Sequence, residues 1–198
     1  MKKVGILGGT FNPIHRGHVA LGEAALKVFD LDKVFFIPAG EPYHKKDGNT
    51  VRGEERLKLV SLALENAPKL IPLGIDVERK GPTYTIDTIN ELKIMEPDSQ
   101  FYIILGSDAF KYIEQWNDIE ALAEKVFFIV AVRACEDEIA WRSFVKTMPE
   151  YISNKTLIMP LKPYFISSTD IRYKGIRKSK RKLDKRVYNY ILAKGLYK

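Results

Sequence analysis

Along 198 residues, short β-branched and aromatic runs alternate with segments whose apolar residues recur at helical spacing, and this alternation constrains the fold most. The runs at 3–8, 33–38, 70–77, 101–106, 126–132 and 156–160 read as buried strands. Segments 18–29, 53–66, 85–95, 109–123 and 136–148 carry the helical spacing, and two more helices are expected to start near Ser168 and Asp184. Right-handed crossovers joining such strands give a parallel sheet covered on both faces, so the expected class is α/β, a doubly wound parallel sheet. Ligands of these sheets collect outside the carboxyl ends of the strands.

With 45% hydrophobic residues the chain can bury one substantial core, and one domain over 1–198 is expected, with a helical C-terminal part from about residue 167. There is no internal repeat, no low-complexity tract and no domain-separating linker. No apolar stretch reaches the roughly 20 residues that span a bilayer. The basic, then apolar start at Met1 is too short for a secretion signal and runs directly into a glycine motif. A lone cysteine, Cys135, excludes an internal disulfide and a multi-cysteine zinc site, so a cytoplasmic protein is expected.

A formal net charge of +7 suits anionic partners. Much of the excess lies between Arg172 and Arg186, and the remainder is close to balanced. No aromatic residue interrupts 174–186 to stack on a base, so neither nucleic acid nor membrane is an expected partner. Beyond Arg172 the tail reads mostly as a solvated helix face, with lesser weight for phosphate attraction or a homo-oligomer contact.

The chemistry concentrates where the first strand ends, at Gly8-Gly9-Thr10-Phe11-Asn12-Pro13-Ile14-His15-Arg16-Gly17-His18. Glycines let backbone approach a phosphate, and a helix start supplies N–H groups and a positive dipole end. His15 and His18 straddle that helix start, and each can donate a hydrogen bond to a phosphate oxygen. Two of the chain's three histidines sit at this one junction. A metal site is the other use of His-x-x-His, but His44 and Cys135 do not stand at ligand spacing to complete one, so no protein-held metal is expected.

The segment from Gly8 to His18 resembles the His-x-Gly-His signature of the nucleotidyltransferases, most closely that of the bacterial nicotinate-nucleotide adenylyltransferases. Further blocks extend the resemblance over almost the whole chain. Pro38 to Lys45 is similar to the family's Pro-x-x-x-Pro-Pro-His-Lys loop, with Tyr43 in place of the second proline. Gly81-Pro82-Thr83-Tyr84-Thr85 resembles its Gly-Pro-Ser-Tyr-Thr segment, and Gly106-Ser107-Asp108 with Trp116 its Gly-x-Asp and tryptophan block. Ile166-Ser167-Ser168-Thr169-Asp170-Ile171-Arg172 resembles the Ile-Ser-Ser-Thr-x-Ile-Arg motif. The chain departs after the fifth strand, where Arg133-Ala134-Cys135 stands in place of Arg-Pro-Gly.

Several of these residues also have plain structural uses. Ser167, Ser168 and Thr169 can cap a helix, or can join Arg172 in a triphosphate clamp. Thr83 or Thr85 can cap the helix that follows, whose start equally suits a carboxylate. Trp116 can close an amphipathic helix as core, or its indole face can meet a pyridinium ring through a cation-π term of roughly 0.5–2 kcal/mol. Asp108 can cap a helix or accept from a ribose hydroxyl, and the ribose is favoured.

The resemblance implies a Rossmann-like nucleotidyltransferase fold and adenylyl transfer from ATP to nicotinate mononucleotide, with Mg2+ riding on the ATP phosphates. It implies that His15, His18 and Arg172 are catalytic. Gly8, Gly9, Thr10, Phe11, Gly106, Asp108, Arg133, Ser167, Ser168 and Thr169 join them at ATP. Asn12, His44, Lys45, Tyr84, Thr85 and Trp116 meet the acceptor. Nicotinamide mononucleotide and phosphopantetheine are the rival acceptors.

Overall fold

The computed structural model describes residues 1–40, 50–133, 137–161 and 166–197, the side chains of Arg133 and Leu161 excepted. One six-stranded sheet runs in the order β3-β2-β1-β4-β5-β6. Its strands are β1 (Lys2–Gly9), β2 (Lys33–Pro38), β3 (Leu70–Pro72), β4 (Ser99–Gly106), β5 (Val126–Arg133) and β6 (Thr156–Leu161). Pairing is parallel: Val4 stands opposite Phe101, Ile103 opposite Phe128, and Val130 opposite Ile158. The strand order reverses between β1 and β4, as expected of a doubly wound sheet.

The chain divides into two compact units. The first comprises Met1–Leu7, Leu21–Val34 and Tyr84–Pro163. Its strands bury consecutive apolar residues, Ile6 and Leu7 in β1, Ile103, Ile104 and Leu105 in β4, and Phe128, Ile129 and Val130 in β5, as strands covered on both faces require. Gly5 belongs to this packing, because a Cβ there would stand 2.8–3.0 Å from methyl groups of Val34, Ile104 and Leu31. The second unit comprises Gly8–Ala20, Phe35–Thr83 and Tyr164–Lys198. It packs Phe36, Ile37, Leu59, Val60, Ile171, Val187 and Ile191 out of water.

Around the sheet run α1 (Arg16–Phe29), α2 (Gly53–Leu64), α4 (Thr85–Met95), α7 (Glu138–Lys146), α9 (Ser168–Lys174) and α10 (Lys185–Lys194). Single-turn helices α3 (Ile75–Glu78), α5 (Ser107–Phe110) and α8 (Glu150–Ser153) and the short α6 (Ile119–Lys125) complete the α-helices among the described residues. No helix there is long and apolar enough to cross a membrane.

Two expectations from the sequence are corrected. The continuous helix over 109–123 is broken into α5, a 3-10 turn at Ile113–Gln115, and α6. Trp116 turns extended and Asp118 takes a left-handed φ of 49°, a conformation that Asp tolerates better than most residues and that stops a helix. Phe110, Ile113, Ile119 and Leu122 stay buried throughout, so the apolar spacing was real although the backbone was not continuous. The strand over 70–77 ends at Pro72, which has no N–H for the ladder, and Gly74 then opens α3.

Candidate active site

β1 delivers its last residues into a turn that is tied carbonyl by carbonyl. The Gly9 carbonyl accepts from the Ala39 amide at 2.9 Å. The Thr10 carbonyl accepts from Arg56 Nη1 at 2.8 Å, Asn12 from Arg172 Nη1 at 2.5 Å, and Pro13 from Ser168 Oγ at 2.8 Å. The Val51 amide donates to Asn12 Oδ1 at 3.3 Å. Within the turn Phe11 holds a φ of 46° and is followed by a cis Asn12–Pro13 bond. A left-handed phenylalanine persists only where its surroundings over-determine it. Here the ring is buried and stacks on Phe36 at 5.9 Å. Gly8, by contrast, has open space where a Cβ would be, so an anion can approach the backbone there.

Both histidines face this turn. His15 precedes α1, and its carbonyl accepts from the amides of His18 and Val19. The two imidazoles stack with centroids 3.7 Å apart and planes 14° from parallel, and Phe11 meets His18 edge-on at 5.0 Å. Burial lowers the His15 pKa to about 4, partly offset by a backbone hydrogen bond, with Lys182 adding a repulsive push. Burial, then the neighbouring His15, also holds His18 well below the usual imidazole range. At neutral pH both rings are therefore uncharged. The His15 amide donates to His18 Nδ1 at 3.2 Å, so neutral His18 carries its proton on Nε2, a donor. His15 Nδ1 is buried and has no hydrogen-bond partner among the described residues, an arrangement that a ligand would relieve. Gly17 lets this happen: a Cβ there would stand 3.1 Å from the His15 ring.

α9 closes the same unit over the turn. Ser167 is its N-cap, accepting from the Asp170 amide at 3.0 Å, so the capping role falls to the first serine. Ser168 and Arg172 instead reach the turn, and Arg172 Nη2 also meets Thr169 Oγ1 at 3.4 Å. Asp170 pairs with Lys174 and Lys182, whose hydrogen bonds hold its carboxyl below the usual range. The backbone after the basic 3-10 turn Arg177–Lys182 is fixed by Arg16 Nε, which donates to the Leu183 carbonyl at 3.1 Å.

In the other unit, Gly106 opens α5 with open space at its Cβ position, and Asp108 stands exposed in the first turn of that helix. Tyr84 is the N-cap residue of α4 and Thr85 its first residue, so neither Thr83 nor Thr85 stands at the N-cap position. Tyr84 is exposed and Trp116 half-buried. Trp116 follows the 3-10 turn and does not close a longer helix. Arg133 ends β5. Its side chain, together with His44, Lys45 and Cys135, lies outside the described residues. Among the described residues no group of three or more His, Cys, Asp or Glu side chains is placed to hold a metal.

A cytidylyltransferase-like family model matches residues 6–174. A protein of Bacillus cytotoxicus named probable nicotinate-nucleotide adenylyltransferase is 34% identical over 100% of this chain and 99% of its own length. The chain belongs to the nicotinate-nucleotide adenylyltransferase family. A Desulfitobacterium hafniense relative of the same name is 35% identical over 100% of this chain and 96% of its own. The fold matches that of a Plasmodium falciparum nicotinic acid mononucleotide adenylyltransferase solved in complex with NaAD, with a TM-score of 0.77 at 24% identity. That likeness covers 100% of this chain and 98% of the other.

In this adenylyltransferase the sequence motif marked the turn and its histidines but missed what holds them. Arg56 escaped notice although its signal was present. It stands three and four residues before Leu59 and Val60, on the buried face of α2, where an arginine is out of place unless every donor is used.

Proposed function

We propose that this protein transfers the adenylyl group of ATP to nicotinate mononucleotide, giving nicotinate adenine dinucleotide and pyrophosphate. A phosphate oxygen of the mononucleotide attacks the α-phosphorus of ATP. The bond from that phosphorus to the bridging oxygen breaks, and its electron pair leaves with pyrophosphate. The nucleophile is already ionised, so no general base is needed, and the task is to align two anions and stabilise charge as it moves to the leaving group. The stacked neutral histidine pair beside the tied turn carries this reading: it offers imidazole N–H donors in a dry setting, where hydrogen bonds to phosphate are strong.

The glycines of the turn, with Thr10 and Phe11, are read as the phosphate cradle. Arg172 keeps further N–H donors beyond its bond to the Asn12 carbonyl, and with the α9 hydroxyls it is read as facing the pyrophosphate. Gly106, Asp108 and Arg133 are assigned to the nucleoside of ATP. Asn12, His44, Lys45, Tyr84, Thr85 and Trp116 are assigned to the acceptor, the start of α4 to its carboxylate and the indole to its pyridinium ring. The donors at the turn are imidazole, guanidinium, hydroxyl and amide groups, which suit phosphate oxygens and not a hard cation. Mg2+ is accordingly read as bound to the ATP phosphates, where it would neutralise part of the leaving group's charge. A cytoplasmic location and a single functional domain accord with these substrates.

Pyrophosphate release from ATP with nicotinate mononucleotide, nicotinamide mononucleotide and phosphopantetheine in parallel tests the reading. The expected result is a preference of at least about tenfold in kcat/KM for the nicotinate form, the scale of one lost charge-assisted contact. Equal or greater activity with either rival overturns the acceptor assignment.

A further inference from the structure

We propose that Arg56 is a positioning residue for adenylyl transfer, a buried guanidinium that sets the phosphate turn before any nucleotide arrives. Its side chain is 1% exposed, so it cannot touch substrate. Among the described residues four of its five N–H donors are used, all on main-chain carbonyls: Nε on Val51 at 2.9 Å, Nη1 on Thr10 at 2.8 Å, and Nη2 on Ala39 at 2.7 Å and Gly40 at 2.8 Å. One planar fork thereby joins three separate stretches of backbone: the turn after β1, the exit of β2, and the entry to α2.

Two features separate this from an ordinary structural arginine. No carboxylate pairs with it at salt-bridge distance among the described residues; its hydrogen bonds go to peptide carbonyls, and the nearby Glu54 carboxylate offsets only part of the cost of burying the cation. Its positive charge lies against the turn after β1, through the Thr10 carbonyl. Second, Thr10 is the carbonyl next to left-handed Phe11, whose ring stands against His18. Holding Thr10 inward fixes the peptide that leads into Phe11, and Phe11 in turn sets the edge on which the His18 imidazole rests. Close packing leaves no room for a substituted Cβ at Gly40, which would run into the Asp76 carbonyl, so the backbone at the β2 anchor packs directly against the chain at Asp76. Lysine has one donor centre and cannot reproduce the fork.

The inference rests on the adenylyl-transfer reading, so the test has one arm that does not need turnover. Arg56→Lys and Arg56→Gln are made in the full chain and checked for native circular dichroism. Hydrogen exchange by mass spectrometry then follows amides 9–12 without nucleotide, and steady-state kinetics give kcat and KM for ATP well below the melting temperature. Expected are exchange at 9–12 at least tenfold faster than in the wild type and kcat down at least 30-fold. Combining Arg56→Lys with His18→Ala should cost less than the product of the single losses, because both act through the same donor. The proposal is overturned by unchanged exchange at 9–12 or by kcat within threefold in a folded variant. Strictly multiplicative losses, or failure of both variants to fold, which would make Arg56 a scaffold residue only, overturn it equally. A wild type that turns over none of the acceptors fails the activity reading, and the exchange arm still decides on Arg56.

Discussion

At the residue scale, the two histidines act as one unit because their rings lie 3.7 Å apart and burial keeps both neutral. Protonating such a pair would be strongly opposed, so at neutral pH it presents uncharged imidazole N–H groups. His18, with its proton fixed on Nε2 by the His15 amide, is assigned the larger share of transition-state stabilisation. His18→Ala should therefore lower kcat by about 100-fold or more, in line with loss of one donor to a developing charge, while ATP affinity changes little. Turnover within a few-fold of wild type would remove it from that role. Gly17→Ala is the companion experiment, since the added methyl presses on the His15 ring at 3.1 Å. It should reduce kcat with no loss of melting temperature, because alanine in place of glycine favours the helix itself.

At the element scale, α9 divides two tasks between adjacent serines. Ser167 caps the helix, and Ser168 ties it to the phosphate turn through the Pro13 carbonyl. Ser167→Ala should cost about 1 kcal/mol in a denaturant titration with KM for ATP unchanged. Ser168→Ala should raise KM for ATP several-fold with a smaller stability change, and the opposite pattern would show that the two roles are exchanged. The sequence motif could not apportion them, because either hydroxyl stands at a spacing that caps a helix. The break between α5 and α6 carries the same lesson: apolar residues at helical spacing across 109–123 marked the buried face correctly, and the left-handed Asp118 divided the element. Two local conformations shared one hydrophobic pattern.

At the scale of the whole molecule, the buried histidines link stability to pH. Their folded pKa values are depressed, so the unfolded chain binds more protons than the native one between its ordinary imidazole pKa near 6.5 and about 4. Stability is thus complete above pH 6.5 and falls as pH drops toward 4, by about 3 kcal/mol for His15. Unfolding midpoints at pH 7.0 and 4.5 should differ much more in the wild type than in a His15→Gln, His18→Gln variant. Parallel behaviour would mean that the imidazoles titrate freely. Asp170 and Asp184 have lowered pKa values from their partners' hydrogen bonds and lose stabilising charge at lower pH in both proteins. The sequence by itself determined the class of sheet, the place of the glycine-histidine turn and the family, because strand and helix periods and a glycine-histidine motif are local. Only the tertiary structure decided that four carbonyls of that turn are bound by Ala39, Arg56, Ser168 and Arg172, and that burial strips the histidines of charge. Those properties come from residues up to 160 positions apart in the chain, and desolvation exists only once the chain has closed around them.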